Sequence, residues 1–221
     1  MKFKFTLIVV ALFFLNCQSD KKPQLSYKYI TSESSTLSCE TVDMKLFEEA
    51  RLSFENDIIQ HYTPGQETPS RAYSQFMRAV VRNNVKFNEV ASEHSRNIYE
   101  VLRADKDLWL ENDNTINLNY NHPIFECIGK KITDNDMRRT YNALLSTNSM
   151  SMRMIGNELQ RKSYVMNKDK YAAVFSALIT YYDNFHNLDF SDKTVGSEAT
   201  KEKSVANNKK QTRDDHAGHS H

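Results

Sequence analysis

The chain has 221 residues, with 29 Lys and Arg against 28 Asp and Glu, and its formal net charge is +1. This balance excludes the strongly basic surface of a typical nucleic-acid-binding protein, and no nucleic-acid partner is expected. Only 5 Gly and 4 Pro are present, which favours helices because hairpin-rich folds need Gly at positive φ.

The N-terminus has the layout of a secretory signal. Lys2 and Lys4 precede an apolar run from Thr6 to Leu15, and Cys17 closes the segment. The run is about half the length of roughly 20 residues that a membrane-spanning helix needs. This arrangement resembles a bacterial lipoprotein signal, in which the cysteine is acylated and becomes the first mature residue.

The resemblance implies that residues 1–16 are a cleaved signal peptide and that Cys17 carries the lipid. It also implies an envelope protein that is anchored to a bacterial membrane, such as the outer membrane, and faces the periplasm or the cell surface. Two or more acyl chains make such an anchor stable. The alternative is ordinary secretion, which needs an A-x-A-like site just after the apolar run, and none follows it.

The remaining chain divides into a tether, a folded domain and a tail. Residues 17–38 are polar and Ser-rich and bury too little apolar surface to fold alone, so a flexible tether is expected. Residues 39–190 carry the apolar periodicity of a helical domain. Residues 191–221 hold almost no large apolar side chains, and disorder is expected there.

Apolar side chains recur at helical spacing in four long segments, which predicts four main helices. The expected helices span about 40–62, 69–110, 134–166 and 169–188, with a short one at 124–132. Asn83 and Asn84 mark the weakest point of the second helix, where a kink is expected. The Asn-rich stretch 111–122 is expected to be a loop with an extended piece at 116–120.

These elements predict an all-α fold, namely an antiparallel bundle of about four main helices between the tether and the tail. Long amphipathic helices joined by short turns favour antiparallel neighbours. An irregular all-α array is the alternative.

Cys39 and Cys127 are the cysteines that remain once Cys17 is lipidated. An even pair in an oxidising compartment favours a disulfide. The bond would close a loop of about 90 residues, which the chain-entropy model values at roughly 4 kcal/mol. The alternative is two buried free thiols that pack as small apolar side chains. A catalytic cysteine is less favoured, because nothing near Cys127 marks a nucleophile site.

Two histidines have neighbours that invite a chemical interpretation. His94 lies on the apolar face of the second helix, but the Glu-x-x-His spacing of di-metal bundles is missing, so a hydrogen-bonded core histidine is favoured. Asp57 and His61 are four residues apart and face each other on a helix. A surface pair at the helix C-terminus is favoured over an Asp that orients a catalytic or metal-binding His.

Met150, Met152 and Met154 alternate along the chain, a spacing that suits thioether sites for Cu(I). On a helix, however, 150 and 154 share a face while 152 does not, so gap-filling core methionines are favoured. The 11 Tyr mostly lie at core spacing. Core and rim packing is therefore favoured over a Tyr-lined ligand pocket.

The last eight residues contain three His and two Asp next to a Gly. Such side chains on a flexible tail suit a borderline metal such as Zn²⁺, Cu²⁺ or Ni²⁺. The geometry is not preformed, so binding should be weak and should be lost near the imidazole pKa of about 6.5. The alternative is a solvated polar tail. The expected ligands are Asp214, Asp215, His216, His219 and His221.

The sequence contains no nucleotide-binding loop, no nucleophile elbow and no zinc-protease helix. We therefore expect a non-enzymatic envelope lipoprotein whose helical domain binds an envelope partner and needs no cofactor. The alternative function is a metal-handling lipoprotein that captures or buffers Zn²⁺, Cu²⁺ or Ni²⁺ through its C-terminal tail.

Overall fold

Helices make up most of the chain that is described by the structure, a computed structural model covering residues 23–31, 37–66, 68–112, 115–188 and 190. The expectation of a mostly helical protein is confirmed. The α-helices are α1 (Met44–Tyr62), α2 (Pro69–Val81), α3 (Phe87–Val90), α4 (Glu93–Arg103), α5 (Pro123–Lys131), α6 (Asn135–Ser146), α7 (Met152–Lys162) and α8 (Lys170–Thr180). Three 3₁₀ helices lie at Lys106–Leu108, Ser163–Lys168 and Tyr182–Asn187.

A two-stranded antiparallel sheet corrects the all-α expectation. Strand β1 (Trp109–Asn112) pairs with β2 (Thr115–Leu118), and Trp109 lies opposite Leu118. Both of these side chains are buried, and the Trp109 indole donates a hydrogen bond to the Leu102 carbonyl oxygen at 2.8 Å. The hairpin therefore closes over the end of α4. Residues 109 and 110 of β1 were expected to continue the helix, whereas β2 overlaps the extended piece expected at 116–120.

Helix α1 is buried on almost every side. Its start is four residues later than expected, because the Asp43 side chain accepts a hydrogen bond from the Lys45 amide and acts as the N-cap. The Phe54 ring, at 0 % exposure, lies 5.1 to 5.6 Å from the rings of Phe76, Tyr181 and Tyr73. α1 is thus the central element, and α2, α4 and α8 pack against it.

Two asparagines end helices that the apolar pattern continues. Asn83 and Asn148 have φ of 50° and 51°, the left-handed region that Asn tolerates better than most residues. At each site the amide of the Asn and the amide of the next residue donate to carbonyl oxygens of the last helical turn, as in a Schellman motif. The predicted helices 69–110 and 134–166 are therefore wrong as single elements.

The predicted fourth helix also divides. α8 is buried from Ala172 to Thr180, and the Asp169 carboxylate caps its N-terminus by accepting a hydrogen bond from the Ala172 amide. The same carboxylate accepts hydrogen bonds from the Thr133 amide and hydroxyl at 2.7 Å, which ties α8 to the start of α6. After Thr180 the chain turns and continues as a 3₁₀ helix.

Part of the tether expected at 17–38 lies in the described ranges. Residues 23–31 and 37–38 are described, and Ile30 and Leu37 are buried. Residues 1–22 lie outside the described part, so the signal peptide and Cys17 stay predictions, and the tail 191–221 lies outside it as well. Within the described ranges, no helix combines the length and the apolar character needed to cross a membrane.

Candidate functional site

The predicted disulfide is confirmed: Cys39 and Cys127 are bonded, and their Cα atoms are 6.0 Å apart. The bond joins the segment before α1 to helix α5. The Tyr171 hydroxyl supports the same segment, because it accepts from the Ser38 amide and donates to the Ser38 carbonyl oxygen, both at 3.0 Å. A surface cavity of about 410 Å³ lies over the disulfide.

The Glu49 carboxylate of α1 fastens the N-terminal segment. It is fully buried and accepts hydrogen bonds from the amides of Lys28, Tyr29 and Ile30 at 2.6 to 3.2 Å. His94 Nε2 lies 2.7 Å from Glu49 Oε1, so the expectation of a hydrogen-bonded histidine is confirmed. Burial raises the pKa of Glu49, but these hydrogen bonds outweigh burial and hold the net pKa below its ordinary value of 4.5.

The Asp57 carboxylate of α1 fastens two further elements. Its Oδ2 accepts from the Ser92 amide, and from the hydroxyls of Ser95 and Tyr181 at 2.6 Å. The predicted pair of Asp57 with His61 is wrong, because Asp57 points into the core while His61 is exposed and lies beside the Tyr62 ring. Glu49 and Asp57 therefore serve the fold, since each accepts hydrogen bonds from several other elements.

Asp183 is the one described carboxyl whose pKa is raised. Burial raises its pKa to about 7, and a hydrogen bond from the Leu118 amide opposes the effect. Its Oδ1 is buried without a hydrogen-bond partner in the described part of the chain. Because the folded-state pKa is raised, this group contributes stability below its ordinary pKa of 3.8, and the contribution is lost as the pH rises through about 7.

The three methionines lie in different surroundings. Met150 is 7 % exposed, Met154 is 54 % exposed, and Met152 lines a cavity of about 240 Å³ together with Phe87. Met150 fills the core as predicted, and Met154 does not.

Metal-binding side chains do not gather in the described ranges: no group of three or more His, Cys, Asp or Glu there is placed to hold an ion. The expected tail ligands Asp214, Asp215, His216, His219 and His221 lie outside those ranges.

A surface cleft along α2 is lined by three arginines, and we call it the arginine cleft. Its volume is about 450 Å³. It is lined by Tyr62, Arg71, Ser74, Gln75, Arg78, Ala79, Arg82 and Asn84. The opposite face of α2 is buried against α1, α7 and the Ser163–Lys168 3₁₀ helix. The packed side of the helix therefore holds the cleft residues in place.

The arginines form one row. Residues 71, 78 and 82 lie within about 40° of each other around a helix of 3.6 residues per turn. Along the axis, Arg78 and Arg82 are about 6 Å apart and Arg71 lies about 10 Å from Arg78, at 1.5 Å per residue. All three side chains are exposed, and none forms an ion pair within the described part of the chain. The Arg71 guanidinium donates to the side-chain oxygen of Gln66 at 3.3 Å.

This row has an electrostatic cost. Like charges at positions i and i+4, as in Arg78 and Arg82, destabilise a helix by about 0.2–0.5 kcal/mol. Arg78 lies in the last turn of α2 and Arg82 is the C-cap residue, and these places offset part of that cost because cations stabilise helix C-termini. An anion in the cleft would relieve the remaining repulsion.

Sequence reasoning missed the arginine cleft because the overall charge is near zero. The local signal is nevertheless present: from Thr68 to Asn88 the chain holds Arg71, Arg78, Arg82 and Lys86 and not one Asp or Glu. A charge count in short windows would have singled out this stretch.

Comparison with known proteins adds no relative to this picture. The chain matches no protein-family model, and no curated protein or solved structure matches it. The site residues therefore rest on the geometry of this chain alone.

Replacing Glu49 by Gln should destabilise the domain by about 2–3 kcal/mol at pH 7, because charge-assisted hydrogen bonds to three amides are lost. The lowered pKa means that the stability from Glu49 is complete above pH 4.5 and is lost as the pH falls through the folded-state pKa. The difference in the free energy of unfolding between the unmodified chain and Glu49→Gln should therefore shrink as the pH falls. Urea unfolding followed by circular dichroism at a series of pH values measures it.

Glu100→Gln is the matched control, since Glu100 is an exposed glutamate on α4. It should unfold like the unmodified chain at every pH. Asp183 is present in the unmodified chain and in both variants. Its contribution to the pH dependence therefore cancels when their free energies of unfolding are subtracted. A Glu49→Gln chain that matches the control, or a gap that stays constant with pH, would contradict this account of Glu49.

Proposed function

We propose that the protein is a membrane-anchored lipoprotein of the bacterial cell envelope, acylated at Cys17, whose helical domain binds an anionic partner through the arginine cleft. The observation that carries the proposal is the row of Arg71, Arg78 and Arg82 in a cleft whose described lining residues include no acid. Complementary charge steers association and selects partners. The proposed role is non-enzymatic.

The hydrogen bonding of the buried acids supports a binding role. Glu49 and Asp57 each accept hydrogen bonds from two other segments, and Asp169 accepts them from Thr133 and from its own helix, so these carboxylates are occupied by contacts within the fold. The domain thus presents a rigid helix surface, and rigid surfaces lose little conformational entropy on binding.

The short connections between helices, such as 132–134 and 147–151, favour antiparallel neighbours. On that ground, the antiparallel bundle is our proposed arrangement for the eight helices, with α1 as its central member.

Site-specific photo-crosslinking tests the binding role. A benzophenone amino acid replaces Gln75, which lines the cleft, in the full chain within cells. Irradiation should yield an adduct in the membrane fraction. The adduct should weaken strongly when Arg78→Gln and Arg82→Gln are added, because the partner is held by these charges.

The same amino acid at Arg139, an exposed position on α6 outside the cleft, is the control and should yield no such adduct. Cys17→Ser should move the chain out of the membrane fraction, since the acyl chains would be missing. No adduct from position 75, or one that is unchanged in the double variant, would remove the proposed role of the cleft. Retention of Cys17→Ser in membranes would remove the anchor.

The second candidate function is metal capture by the tail, and the clustering of three His and two Asp in residues 214–221 favours it. Zn²⁺ should bind the full chain weakly at pH 7.5 and much less at pH 5.5, where imidazoles are protonated. Calorimetric titration measures both. A chain with His216, His219 and His221 all replaced by Ala should lose the binding, and equal binding by both chains would contradict the hypothesis.

A further inference from the structure

Three features outside the hydrogen-bonded core carry charged or titratable side chains: the disulfide cavity, Asp183 and the arginine cleft. The cavity over the Cys39–Cys127 bond is lined by the cations Lys130 and Lys131 and by the acids Glu40 and Glu126, and Lys130 is paired with Glu126. The buried Asp183 does not line the disulfide cavity, the cavities beside Met152 or the arginine cleft. Of these three features, the arginine cleft alone combines open space with several cations and no acid among its described lining residues.

We propose that the arginine cleft binds a phosphate group. The inference rests on the proposed binding function and names the chemistry of its ligand. A guanidinium presents N–H donors in a planar fork that matches two oxygens of a phosphate. Arg78 and Arg82 are one helical turn apart, so both can reach the oxygens of a single phosphate.

The third arginine extends the site along the helix. Arg71 lies about 10 Å from Arg78 along the helix axis, which suits a ligand with a second phosphate or another acidic group. Uncharged donors complete the lining, namely the side-chain amides of Gln75 and Asn84. Burial raises the pKa of Tyr62, so its hydroxyl also stays protonated at neutral pH.

The backbone at the end of α2 supports the same site. The left-handed Asn83 reverses the chain, and the Asn84 amide donates to the Ala79 carbonyl oxygen at 2.9 Å. This turn brings Asn84 back to the wall of the cleft beside Arg82. The turn therefore fixes the backbone that carries Arg82 and Asn84 at the cleft.

The phosphate could belong to a soluble molecule or to a lipid headgroup, and two probes separate these sources. The full chain in a neutral detergent is titrated with inorganic pyrophosphate, and separately with short-chain phosphatidic acid dissolved in the same micelles. Short-chain phosphatidylcholine is the lipid blank. The chains compared are the unmodified protein, Arg78→Gln with Arg82→Gln, and a control with Lys106→Gln and Arg139→Gln.

The control removes the same charge from exposed positions outside the cleft. At least one phosphate probe should bind the unmodified chain and the control alike, and the cleft variant at least about tenfold more weakly. Binding should also weaken as salt is added. Tighter pyrophosphate binding supports a soluble ligand, and tighter phosphatidic acid binding supports a headgroup.

Equal affinity in all three chains, or no binding of either probe, would overturn the phosphate assignment. If the probes fail while the crosslink at position 75 persists, the phosphate assignment falls and the binding function stands. If the crosslink is also absent, both fall. Circular dichroism of the three chains confirms that each remains folded.

Discussion

The carboxylates of helix α1 are the constraint on which the rest of the structure depends. This helix lies in the middle of the domain and still carries the acids Glu49 and Asp57, which are 0 % and 3 % exposed. A buried charge costs several kcal/mol unless hydrogen bonds replace its water. The fold supplies those bonds from the N-terminal segment, from α4 and from Tyr181 beyond α8. The hydrogen bonds to Glu49 and Asp57 therefore join parts of the chain that are far apart in sequence.

The apolar pattern predicted where helices occur better than where they end. Helix α1 and the short helix α5 were predicted almost in full, because each has an uninterrupted apolar stripe bounded by clear end signals. The longer predictions failed at Asn83 and Asn148, where a left-handed residue ends the helix although apolar spacing continues. Strand β2 overlaps the extended piece expected at 116–120, but β1 and its pairing with β2 were missed, because the strands are only four residues long and expose most of their side chains.

The polar contacts were much harder to predict. Glu49 accepts hydrogen bonds from three backbone amides about 20 positions earlier in the chain. Every residue type except Pro has such an amide, so the sequence does not show which ones donate. Asp57 seemed to pair with His61 because the two are one turn apart, yet its partners lie on other elements. The disulfide was easier, because few cysteines were left to pair.

The arginine cleft depends on both apolar packing and the placement of charged side chains. Its residues are exposed, but the helix that carries them is held by apolar packing on its other face against α1. The near-zero charge of the whole chain concealed a stretch of 21 residues, from Thr68 to Asn88, with four cations and no acid. Local charge, and not net charge, is what a bound anion experiences, since salt screens interactions beyond about 10 Å.

The most direct measurement of the central role of α1 is hydrogen exchange at the amides of Lys28, Tyr29 and Ile30. In the unmodified chain at pH 7 these amides should be protected, because they donate to Glu49. In Glu49→Gln their exchange should accelerate by more than tenfold relative to the Glu100→Gln control. Exchange at the rate of an unfolded chain in the unmodified protein, or equal protection in the two variants, would contradict the account.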